Sequence, residues 1–167
     1  MAVRIDNVRL IDPAAGHDAV TSVILENGRM MIGGSGVAAA EIIDGSGLWL
    51  TPGFVDLCAR LREPGAKMHG GAASETRAAR AGGFLHLVVP PDTQPVLDSG
   101  ALVTQLCERA DAAGYAKVYP VGALTKGLEG KALSNMNRLR LAGAVAVGNA
   151  RAPFASVETA LHCLEYA

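Results

Sequence analysis

The apolar positions follow one rhythm before Pro52 and another after Gly53. From Val3 to about Leu50 they come in short alternations broken by turn residues, as in "SVILENGRMMIGG". Asn27-Gly28 there predicts a tight hairpin, because both residues tolerate positive φ. Further extended pieces are predicted at Glu41 to Asp44 and Leu48 to Leu50, which together make a small antiparallel sheet over residues 1–52.

Beyond Gly53 the period changes. "FVDLCARL", "FLHLVV", "KVYPVGAL" and "AVAVGN" are compact, mostly apolar runs, and "AASETRAARAG", "SGALVTQLCERADAAG", "GKALSNMNRLRLAG" and "SVETALHCLEYA" stand between and after them with helical spacing. Strands of that kind, separated by amphipathic helices, pair in parallel with the helices covering the sheet. Gly82, Gly114 and Gly143 supply helix stops. The reading is an α/β chain: a small β domain at 1–52, then four βα units at 53–167, the first half of a (β/α)8 barrel. Half a barrel leaves a core to fill and two strand edges open. The expectation is therefore closure by self-association, by a partner, or by a C-terminal half beyond Ala167.

Charge and composition mostly exclude. A formal net charge of -1 offers no basic field for nucleic acid or an anionic membrane. No apolar run approaches a membrane span, and "MAVRIDNVRLIDP" lacks the pattern of a signal peptide, which predicts a cytoplasmic protein. Cys58, Cys107 and Cys163 are too widely spaced for a metal clip or a disulfide framework. His17, His69, His86 and His162 form no HxH or HxxxH pair. "TKGLEGKA" resembles the end of a phosphate-binding loop, but Thr125 stands in place of its first glycine and Ala132 in place of its hydroxyl. "GGSG" at 33–36 follows a hairpin strand and opens no helix.

Candidate chemistry gathers after Gly53. If Val55 to Leu61 is a strand, Asp56, Cys58, Arg60 and Arg62 share a face at the barrel's mouth. "PGFVDLCARLREPG" resembles the dihydroorotase signature of the amidohydrolase superfamily, and "TRAARAGGF", "VVPPDTQP" and "GALTKGLEG" extend the resemblance through the next units. In that family the first strand carries two zinc-binding histidines and an arginine that grips the substrate carboxylate. Cys58 and Arg60 stand at the histidine positions, Asp92 at that of a substrate-binding asparagine, and Asn149 and Ala150 at that of an Asp-Asp pair. Only Arg62 matches.

Guanidinium has no free lone pair and stays protonated, so Arg60 cannot ligate zinc. At roughly 4 Å and an effective dielectric of about 20, its repulsion from a dication reaches about 8 kcal/mol as an upper bound. The resemblance then implies a dihydroorotase-like protein without zinc and without catalytic residues, in which Arg62 and Asp92 are remnants of substrate binding. It also implies a partner, since some bacterial inactive homologues assemble with aspartate transcarbamoylase. The rival is an active amidohydrolase with an unusual site built from Cys58, His69 and Asp92, or one that uses the Cys58 thiol covalently. Arg60 needs a counter-ion, and Asp56 or Asp92 could serve; Arg62 could pair with Glu63. His86, mid-strand, reads as a packed residue, and Cys107, Cys163 and His162 as helix positions.

Overall fold

The computed structural model describes residues 2–34, 38–65 and 70–167. Two compact units emerge, Met1–Pro52 and Gly53–Ala167.

In the first unit, β1 (Val3–Asp12) and β2 (His17–Glu26) pair antiparallel, and β3 (Arg29–Ile32) adds to β2. Asn27 and Gly28 have φ of 51° and 72°, so the turn between β2 and β3 has the two left-handed residues that match the twist of a hairpin. β4 (Glu41–Asp44) and β5 (Trp49–Leu50) join the other edge of β1, and both run parallel to it. The sheet is therefore mixed, which corrects the antiparallel expectation. Turn residues encode only the strand pairs they connect, and no such turn links β1 to β4 or β5. Val8, Leu10 and Val23 form this unit's core, with Ile5 and Leu50 packed against them.

The second unit is a curled parallel sheet of order β6-β7-β8-β9: Phe54–Asp56, Phe84–Val89, Lys117–Ala123 and Ala146–Gly148. Helices α1 (Ala72–Ala81), α2 (Gly100–Ala113), α3 (Met136–Leu141) and α4 (Val157–Tyr166) follow the strands in turn. The core lies between sheet and helices. Leu87 and Val89 of β7 enter it with Val103 and Leu106 of α2, Val118 of β8 and Leu139 of α3. Gly122 makes room for α3, because a Cβ there would lie 2.7 Å from Leu139 Cδ1. By the alternation of a strand, His86 and Val88 face the opposite, lumen side. His86 Nδ1 meets the Tyr119 hydroxyl at 3.0 Å, and the Phe54 and Phe84 rings pack tilted at 56° with centroids 5.6 Å apart.

Two elements are shorter than their patterns. α3 starts at Met136, capped by the Asn135 side chain, which accepts from Arg138 N at 3.0 Å. The residues before it are held as a loop: Ala132 O accepts from Lys126 N, Leu124 O accepts from Ser134 N, and Thr125 bridges to Leu133. β6 ends at Asp56, where Leu57 and Cys58 turn. The expected strand from Val55 to Leu61 is thus interrupted, although Ala59 N still donates to Val88 O at 2.9 Å.

Among the described residues no helix is long and apolar enough to cross a membrane.

Candidate functional site

The residues singled out after the first strand lie at the carboxyl ends of the parallel strands, the end where barrels of this kind carry their sites. Arg60 Nη2 donates to Asp92 Oδ2 at 2.9 Å, and Arg60 Nη1 lies 3.6 Å from Cys58 Sγ. Asp92, just after β7, is the counter-ion. Its carboxylate, hydrogen-bonded and oppositely charged, holds the Arg60 guanidinium above its ordinary value. Asp56 is not used this way; its Oδ1 accepts from Cys58 N at 2.9 Å and steadies the turn that ends β6.

Arg62 adopts a left-handed backbone, φ 56°, which breaks the alternation that would have continued from Arg60. It nevertheless lines a cavity of about 220 Å³ together with Arg60, Asp92, Thr93 and Gln94. The structure thus brings Arg60, Arg62 and Asp92 onto one cavity and leaves Asp56 out of its lining. Among the described residues the partners of the Glu63 carboxylate are Ala72 and Arg109 rather than Arg62. Glu63 turns away: one carboxylate oxygen accepts from Ala72 N at 2.7 Å at the start of α1, and the other pairs with Arg109 of α2. A carboxylate at a helix N-terminus satisfies a free N–H and meets the positive end of the helix dipole. The Glu63 of "LREPG" therefore acts as a clamp between two helices.

The cavity's two loops are stitched together. Gln94 N donates to Pro64 O at 3.0 Å, and Gly65, φ 139°, sits where a Cβ would come within 3.1 Å of Gln94 O. His69 lies outside the described residues.

Asn149, after β9, is buried rather than open to the mouth. Its Oδ1 accepts from the fully buried Thr125 hydroxyl at 2.7 Å, and its Nδ2 donates to Ala152 O at 3.0 Å. Thr125 Oγ1 accepts in turn from Gly130 N. Ala150 has φ 48° and no side chain beyond Cβ to offer a ligand. Thr125 stood out in the sequence only as a departure from a phosphate-binding loop, and Arg151, whose Nη2 lies 3.8 Å from Asp92 Oδ2, not at all. The signal for Arg151 was a cation in the loop after the fourth strand; Thr125 carried none, since a hydroxyl in a loop says nothing of burial.

A divalent metal does not fit these residues. The two positions that would supply nitrogen ligands hold a thiol and a guanidinium; the latter has no lone pair and occupies the nearby carboxylate. Among the described residues no three His, Cys, Asp or Glu side chains converge as a metal site. The arrangement offers two guanidinium groups and one committed carboxylate, which suits holding charge more than activating water.

Residues 47–163 match the family model described as Dihydro-orotase-like. The chain belongs to that family, within the amidohydrolase superfamily. Over its whole length it is 45% identical to a dihydroorotase-like protein of Pseudomonas aeruginosa and 40% identical to a dihydroorotase of Geobacter sulfurreducens. In both cases the chain spans about 40% of the length of the relative. Among solved structures, L-hydantoinase (dihydropyrimidinase) from Arthrobacter aurescens superposes with a TM-score of 0.69 at 20% identity, covering 87% of this chain and 32% of that one. A dihydroorotase crystal structure gives 0.59 at 15% identity, covering 87% and 41%. These likenesses show the fold: the small β domain and the first half of an amidohydrolase barrel.

Proposed function

We propose that this chain is a catalytically inactive, zinc-free dihydroorotase-like subunit, and that it serves in the cytoplasm as a structural partner of aspartate transcarbamoylase in pyrimidine biosynthesis. The observation that supports the loss of activity is the Arg60–Asp92 pair, 2.9 Å long. A hydrolytic zinc site needs three protein ligands and an open position for the water whose proton it loosens. Here the first-strand positions carry Cys58 and Arg60, and the residues after the fourth strand, Asn149 and Ala150, are a loop tie and a methyl group. The partner role rests on the resemblance to homologues that keep the fold after losing the chemistry. The Glu63 clamp fits it, since it preserves "LREPG" for structure alone.

The test pairs two measurements. The purified chain is assayed for cyclisation of N-carbamoyl-aspartate with zinc supplied, and is then mixed with aspartate transcarbamoylase from the same organism for co-sedimentation. No turnover together with a stoichiometric complex is the expected result. Zinc-dependent turnover would overturn the inactivity, and failure to co-sediment would overturn the partner role.

A further inference from the structure

The turn between β2 and β3 sets a side-chain amide next to a backbone nitrogen that no side chain shields. An asparagine cyclises on itself when the nitrogen of the following residue attacks its side-chain carbonyl carbon, and a Cβ on that following residue obstructs the approach. Of the five asparagines in the chain, Asn7, Asn27, Asn135, Asn137 and Asn149, Asn27 alone precedes a glycine. The structure widens this difference. Asn7, Asn135 and Asn149 have tied side chains: the first donates to Asp44 Oδ1, the second accepts from Arg138 N, and the third bridges Thr125 and Ala152 O. Asn137 lies within α3, and the nitrogen that would attack it, that of Arg138, donates to Asn135 Oδ1 instead.

At Asn27 both reacting groups are free. The β2–β3 ladder closes with Glu26 opposite Arg29, so the two turn residues lie beyond it. Among the described residues neither the Asn27 side chain nor the Gly28 N–H has a hydrogen-bond partner. Both residues are exposed, and a Cβ on Gly28 would meet nothing within 4 Å, so water reaches the turn.

We propose that Asn27 converts spontaneously to aspartate and isoaspartate in the folded chain, and that the isoaspartyl form alone unpins β3 from β2. The Gly28 nitrogen, its proton taken by solvent base, bonds to the Asn27 side-chain carbonyl carbon. The bond from that carbon to Nδ2 breaks, and the nitrogen departs as ammonia after taking up a proton. Water then opens the cyclic imide at either carbonyl. The sum is a water consumed and an ammonia released, with no oxidant, reductant or metal.

The two products differ in the backbone. Opening at the former side-chain carbonyl leaves an ordinary peptide bond, and Asp-Gly suits the same two-residue turn, whose φ values here are 51° and 72°. Opening at the main-chain carbonyl instead routes the chain through Cβ and the side-chain carbon, which lengthens the loop by an atom. The lengthened loop no longer holds Glu26 opposite Arg29, because the turn sets the register of a hairpin. β3 is joined to the described sheet through β2 alone and gives no residue to the core of Val8, Leu10 and Val23, so its release is local and leaves that core in place.

The test holds the purified 167-residue chain at mildly alkaline pH and physiological temperature, with Asn27→Asp alongside. Tryptic peptide mapping, labelling by a protein isoaspartyl methyltransferase and amide hydrogen exchange are the readouts. Conversion at position 27 is expected to run at least about tenfold ahead of any other asparagine. The isoaspartyl fraction is expected to lose exchange protection across β3, which Asn27→Asp keeps. Comparable conversion at another asparagine, or conversion of Asn27 only after denaturation, would overturn the site. Protection of β3 that survives in the isoaspartyl form, or that is lost equally in Asn27→Asp, would overturn the release.

Discussion

The helix-facing layer of the half-barrel and its mouth are built from the same strands but have different strengths. In the layer, Leu87, Val89, Val103, Leu106 and Leu139 are almost wholly buried and interlock, and Gly122 is small because Leu139 needs the space. At the mouth the groups are polar and partly wet, and the Arg60–Asp92 pair keeps 43% and 23% of its side-chain area exposed. Packing of the layer depends on interlocking shape, whereas the mouth is held by partly screened charge.

Substitutions can break or sharpen this contrast. Leu139→Ala empties a fully buried position and is expected to cost about 2–5 kcal/mol in denaturant unfolding. A loss below about 1 kcal/mol would mean the layer is loosely packed and the contrast false. Asn149→Ala lies between the two regions, since it removes the acceptor of the buried Thr125 hydroxyl; about 1–3 kcal/mol is expected by the same measurement. Arg60→Met belongs to the mouth. Solvent screens the pair and Arg151 remains 3.8 Å from Asp92, so a loss under about 1 kcal/mol is expected.

The smallest effect concerns pH. Burial pushes the Cys107 thiol up, helped by the Asp111 and Glu108 carboxylates. A thiol raised on folding contributes stability that is fully present below its unfolded value, near 9, and is lost as pH rises above it. Unfolding midpoints measured from pH 7 into the alkaline range are expected to fall less steeply for Cys107→Ala than for the wild type.

Much of this was legible in the chain. The change of period at Gly53, the Asn27-Gly28 turn and the glycine after α2 carry their structural meaning locally, and the structure follows them. What was not legible depends on contacts between distant segments. The loop ties of Lys126 and Ser134 shorten α3, although the run from Gly130 to Gly143 has helical spacing. The left-handed Arg62 and the turn at Leu57 interrupt an alternation that looks unbroken in sequence. At the mouth, Asp92 could be named as one of two counter-ions for Arg60, but choosing it over Asp56 required the turn that commits Asp56 to Cys58 N. The clamp made by Glu63 was not legible because its partner, Arg109, lies 46 residues away on another helix.

The central claim is that an arginine–carboxylate pair stands where the family's metal would be held. Zinc content of the purified 167-residue chain, measured by inductively coupled plasma mass spectrometry after dialysis against micromolar zinc, tests it most directly. Far less than one zinc per chain is predicted, unchanged in Asp92→Asn; one tightly held zinc per chain, lost when Cys58 or Asp92 is replaced, would contradict it.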